Sequence, residues 1–203
     1  SLPIFINLDS LNCFNNGLLT LDVSKMKNLV FLDCGQNLLT SLDLSKNSAL
    51  KTLRCGTNNL QSLDLSKNTL LTELISWQNP FTSIDVSKNL ALTTLILSEN
   101  QLTELDVSKN TALLSLYCLN GKITYLNVSG NSSLKFLDCF GNKITSVDLS
   151  ACLALTELDI TNNPLTSLDV SKNTKLEELY FGGDFIKIFD ISNHPLLKQL
   201  SYQ

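Results

Sequence analysis

The sequence predicts a solenoid: a stack of short coils, each adding one strand to a parallel sheet around a continuous apolar core. Three observations predict it. A unit of 21 residues repeats in register from Leu8 onward, nine times in full at 8–28, 29–49, 50–70, 71–91, 92–112, 113–133, 134–154, 155–175 and 176–196, with a partial tenth at 197–203. Positions 1 and 4 of the unit are Leu in every copy, from Leu8 to Leu197 and from Leu11 to Leu200. Both halves of the unit alternate apolar with other residues and then turn at an Asn, the period-2 signature of a strand with one buried face.

The elements follow in chain order. Residues 1–7 precede the first unit, and Leu2, Ile4, Phe5 and Ile6 are expected to fold over the first coil as a cap. In each first half, positions 1, 4, 6 and 11 are apolar or small and face inward. Position 9 is Asn in seven units, beginning with Asn16 and Asn37, and departs to Gly121 and Asp184. Asn at a tight bend can hydrogen-bond backbone groups that the bend leaves unpaired, and stacked Asn side chains form a ladder. In each second half, positions 14 and 16 are apolar and inward. Position 19 is Asn47, Asn68, Asn89, Asn110, Asn131 and Asn173, interrupted by Met26, Cys152 and His194. Ser fills position 17 throughout, as expected of a hydroxyl bonding the turn. Asp fills position 15 except at Asn127, with Lys at position 18 in six units, which reads as a solvated, charge-mixed face. A lone coil cannot bury its Leu face, so every coil must present the same letters at the same places. The second half is too short for a long helix, and short strand or 3-10 segments are expected there.

Bulk properties exclude several function classes. The chain has 203 residues, a net charge of -4 and a pI near 4.9, which argues against nucleic acid as a partner. No apolar run approaches the ~20 residues of a membrane span. The sequence opens at Ser1, as a mature form lacking a signal peptide would. Five of the six cysteines, Cys13, Cys34, Cys55, Cys118 and Cys139, share inward position 6, where a thiol acts as a small buried hydrophobe. In-register neighbours ~4.8 Å apart point the same way, which does not favour a disulfide. No C-x-x-C occurs, and His194 is the only histidine, so neither a thiolate nor a His-based metal site is expected.

The pattern L-x-x-L-x-[small apolar]-x-x-N-x-L-x-x-L-D-L-x-x-N-x-x resembles the leucine-rich repeat family, in particular its short 21-residue bacterial class, called IRREKO-type and internalin-like. The match covers residues 8–203. The resemblance implies a right-handed superhelix with a parallel sheet on its concave face. It also implies a non-enzymatic recognition module without cofactors, secreted or on a bacterial cell surface as in internalin-like adhesins.

Function on such a scaffold lives at the positions the repeat leaves free. Outward positions 3, 5 and 7 place Ile75, Trp77, Ile96, Tyr117, Leu119, Phe136 and Phe140 on the consecutive coils 71–154. The fold does not require apolar residues there, and a contiguous apolar and aromatic patch marks a partner site. The expected partner is a protein or a glycan. A secondary acidic patch, Asp138, Glu157, Asp159, Glu177 and Glu178, follows on the next coils and suits a polar rim, a basic partner or a hard cation. Asp138 and Asp159 at strand spacing could form a hydrolytic pair, but an open sheet offers no pocket to exclude water. The last unit stops mid-strand, so either further chain or end-to-end self-association through the C-terminal coil is expected. The alternative reading is a structural spacer within a larger surface protein, with no ligand of its own.

Overall fold

The protein, a computed structural model, is described for residues 6–182, 186 and 189–202. Leu2, Ile4 and Phe5 of the expected cap lie outside the described residues, as do Asp184 and Gln203, and Ile6 is 55% exposed.

Among the described residues there are twelve short strands: β1 (Ser10–Asn12), β2 (Phe31–Asp33), β3 (Thr52–Arg54), β4 (Glu73–Ile75), β5 (Thr94–Ile96), β6 (Glu104–Asp106), β7 (Ser115–Tyr117), β8 (Tyr125–Asn127), β9 (Phe136–Asp138), β10 (Glu157–Asp159), β11 (Glu178–Phe181) and β12 (Gln199–Tyr202). Ten of them form one parallel sheet in the order β1-β2-β3-β4-β5-β7-β9-β10-β11-β12, one strand per coil. The register is the repeat itself: Leu11 pairs Leu32, Leu74 pairs Leu95, and Leu179 pairs Leu200. No helix occurs among the described residues.

The expected convex segments are realised mostly as turns. Among the described residues a strand pair forms there only between β6 and β8. Gly130 explains this local closeness. A Cβ at that residue would lie 1.9 Å from the Ser108 carbonyl oxygen, so only glycine lets coils 92–112 and 113–133 approach this far. The contact helps bring Val107 N–H within 3.0 Å of Asn127 O.

The core is the set of inward columns. Leu29, Leu50, Leu71, Leu92 and their successors are buried between coils, with the position 14 and 16 residues closing the other side. Two amide ladders bind the stack. At position 9, Asn37 Nδ2 donates to the carbonyls of Cys13 and Cys34, and its Oδ1 accepts from Leu18 N–H at 2.9 Å. Leu39 and Leu60 use the Asn of the next coil in the same way, whereas Gly121 offers Leu102 no such oxygen. At position 19, Asn110 Nδ2 donates to Val86 O and Asn89 O, both at 2.9 Å.

Cys152 and His194 do not break this second ladder as their identities suggest. Cys152 Sγ lies 3.8 Å from Val128 O, and His194 Nε2 lies 3.0 Å from Val170 O. Each occupies the place of the amide, and in this role His194 carries its proton on Nε2. The Asp and Ser columns also hold more structure than a solvated face. Asp85 Oδ1 accepts from Ser87 N–H at 2.8 Å, and the same turn recurs at Asp22, Asp43, Asp64, Asp106, Asp148, Asp169 and Asp190. The serine hydroxyls serve the carboxylates: hydrogen bonds from the hydroxyl and amide of Ser87 hold the Asp85 carboxyl below its ordinary value.

Candidate functional site

Position 5 forms a continuous row across the sheet: Ile75, Ile96, Tyr117, Asp138, Asp159 and Tyr180 are successive in-register neighbours. Position 3 forms a second row, with Ser115, Phe136, Glu157 and Glu178 side by side. Strand alternation turns both rows away from the Leu core. The apolar and acidic patches therefore share a border, where Tyr117 meets Asp138 and Phe136 meets Glu157. Of the seven apolar residues, Phe136 is exposed, at 36%, and the other six are half-buried. They cover one another along the sheet while leaving an outer surface in solvent.

Column 7 controls how Trp77 lies. The column reads Phe14, Gly35, Gly56, Trp77, Ser98, Leu119, Phe140. A Cβ built on Gly56 would sit 2.6 Å from the Trp77 indole, so the ring lies back over this glycine. Phe14 leans over Gly35 from the other side, 3.2 Å from its would-be Cβ. On the far side of Trp77, Ser98 is 4% exposed and its hydroxyl has no hydrogen-bond partner among the described residues. Arg54 closes the patch towards β1. It pairs with Glu73 at 2.9 Å and stands 5.6 Å from the Phe31 ring centroid. The aromatic character thus extends to Phe14 and Phe31, which the restriction to coils 71–154 leaves out. Glycines every 21 residues next to a tryptophan are the signal that marks where its ring could lie.

In the acidic patch, Asp138 accepts from Phe140 N–H at 3.1 Å. Asp159 accepts from Thr161 N–H at 3.0 Å and from its hydroxyl at 2.6 Å. In each case it is Oδ1 that is held, by the residue two places on. Burial, with smaller contributions from the charges of Asp159 and Glu157, pushes the Asp138 carboxyl up to about 6 against the lowering effect of the Phe140 amide. Burial and the neighbouring Glu178 and Asp159 also raise Glu157. Tyr180 donates to Glu178 at 2.8 Å, which with slight burial and the surrounding carboxylates pushes its hydroxyl up to about 12. Glu177 stands apart: it precedes β11 and pairs with Lys198 at 2.5 Å. Among the described residues, no three of His, Cys, Asp and Glu are grouped closely enough to hold a metal ion. Among the described residues, no helix is long and apolar enough to cross a membrane. All six cysteines are free thiols.

Comparison with known families matches "Leucine Rich repeats (2 copies)" at residues 132–173 and "Leucine Rich Repeat" at residues 59–81. A comparison with curated proteins returns no match. Among solved structures, the chain is 40% identical to the functional domain of InlJ from Listeria monocytogenes, described as including a cysteine ladder; the match covers 98% of this chain and 44% of that one, with a TM-score of 0.89. A leucine-rich-repeat protein of Leptospira interrogans is 24% identical over 96% of this chain and 54% of its own, with a TM-score of 0.86. An internalin from Listeria monocytogenes, InlF, is 21% identical over 97% of this chain and 68% of its own, with a TM-score of 0.69. The last two show the fold alone. The chain spans about half the length of the first two structures.

Proposed function

The chain belongs to the leucine-rich-repeat family, and from that premise we propose that it is a recognition module binding a protein or glycan on the concave sheet. The observation that carries the reading is the apolar row Ile75, Ile96, Tyr117 with Trp77, Leu119, Phe136 and Phe140 around it, in outward positions that the Leu core does not use. Aromatic anchors of this kind supply most of the binding energy at an interface, whereas the surrounding contacts exclude water. The module works by binding alone; its paired carboxylates serve their turns rather than a reaction. The internalin-like repeat supports a place outside the cell, on a bacterial surface or in secreted form.

The test presents the protein to a glycan array and to a displayed library of protein segments. Trp77→Ala is expected to cost at least about 2 kcal/mol of binding, whereas Lys88→Ala on the second face costs almost nothing. A ligand that binds equally well to both variants refutes the site. Loss on changing Asp138, Asp159 and Glu178 alone moves it to the acidic coils.

A further inference from the structure

Resting on that recognition reading, we infer that the partner is an extended polypeptide segment carrying a large apolar side chain and, about four residues away, Lys or Arg. The spacing comes from the sheet. Trp77 follows β4 and Asp138 lies on β9, with β5 and β7 between them; Ile96 on β5 and Asp159 on β10 are likewise three strands apart. At ~4.8 Å per strand that is about 14 Å, and an extended chain crossing the strands at ~3.4 Å per residue covers it in about four residues. The apolar end has a floor of its own, with Trp77 lying back over Gly56 and the unpartnered Ser98 hydroxyl beside it.

The chemistry of the other end comes from charge. Asp138, Glu157 and Asp159 form no ion pair among the described residues, while Arg54 and Lys198 are engaged with Glu73 and Glu177. Asp138 and Asp159 are direct cross-strand neighbours, as are Glu157 and Glu178, and like charges so placed repel. A partner cation relieves this. The carboxylates are not grouped to chelate a metal ion, so the fitting cation is a side chain on a long flexible stem. Neutral and anionic glycans lack that charge, which favours a polypeptide.

The test selects peptides of about 12 residues from a random displayed library, long enough to span both patches. Enriched sequences are expected to combine an aromatic or large aliphatic residue with Lys or Arg about three to five positions away. A representative synthetic peptide should lose at least about tenfold in affinity for a protein carrying Asp138→Asn, Glu157→Gln and Asp159→Asn, and also as salt is raised. It should weaken similarly against Trp77→Ala. If selected peptides bind the triple variant undiminished but lose Trp77→Ala, the basic-partner inference is overturned and the recognition reading survives. If they are indifferent to both, both fail. If no peptide is enriched while a neutral glycan binds, the polypeptide inference is overturned. Unchanged circular dichroism and cooperative urea unfolding, with a midpoint no lower than that of the parent protein, show that each variant is folded.

Discussion

Asn110 tests the ladder that holds one coil to the next. Its side chain is fully buried, and Nδ2 donates to two carbonyls of the preceding coil, Val86 and Asn89, at 2.9 Å each. Both carbonyls also accept a backbone bond, from Asn89 N–H and Leu92 N–H, so truncation leaves neither of them bare. Two lost hydrogen bonds at about 0.5–1.5 kcal/mol each, plus a small cavity, give roughly 2–4 kcal/mol for Asn110→Ala. Asn110→Asp should cost more at neutral pH, because an ionised carboxylate would face two carbonyl oxygens in a dry site. Burial would raise the folded-state pKa of that carboxyl above its unfolded value. The penalty is then present at high pH and shrinks as pH falls, since a protonated acid regains one donor. Urea unfolding of the three proteins at pH 7 and near pH 4 measures it. An Asp variant as stable as the Ala variant at pH 7, or one that weakens relative to it on acidification, would refute the donor role.

Asp85→Ala removes a turn acceptor and should destabilise by about 0.5–1 kcal/mol in urea unfolding at pH 7. Because the Ser87 hydrogen bonds lower the folded-state pKa of Asp85, its contribution is present above pH ~4 and is lost on further acidification, so the variant's deficit should fade at low pH. Asp138 has the opposite sign: with its pKa raised to about 6, its favourable contribution is present below pH ~4 and lost as pH rises through 6. Asp138→Asn should therefore stabilise the protein at pH 7, by up to about 1 kcal/mol given partial solvent screening, and a loss of stability would contradict the cost assigned to this charge. Burial pushes the Cys55 and Cys118 thiols up to about 12, so a thiol reagent should leave them unmodified in native protein, react sooner with half-buried Cys13, and reach all six after denaturation.

The fold was legible because repetition is a physical demand, not a statistical hint. Leu at positions 1 and 4 of every unit and Asn at its turns leave one way to bury the apolar face, and the strands fall on those columns. Less legible was chemistry carried by a backbone conformation or by another coil. The left-handed residues at position 8 include Gln36, Glu99 and even β-branched Thr57 at φ 53°, which no residue preference announces. Asp85 reads as a surface charge until the Ser87 amide is seen pointing at it, and His194 reads as a gap until its ring is found on the carbonyl of Val170. Gly130 looks like a lost lysine, yet the close passage of Ser108 O requires it. At the candidate site Ile75, Ile96, Tyr117 and Phe136 fall on strands of the sheet, and Trp77, Leu119 and Phe140 just after them. The columns could not show that Trp77 lies over Gly56, that the Ser98 hydroxyl has no partner among the described residues, or that Glu177 is drawn off by Lys198.

Trp77 is the only tryptophan, so its emission reports from the proposed site without a label. Titration with a ligand, selected peptide or glycan, whose binding is independently established by calorimetry is the most direct measurement. A concave recognition surface predicts a saturable blue shift and loss of acrylamide quenching, following the calorimetric isotherm. An emission spectrum and quenching constant unchanged at full occupancy would place the ligand elsewhere and contradict the account.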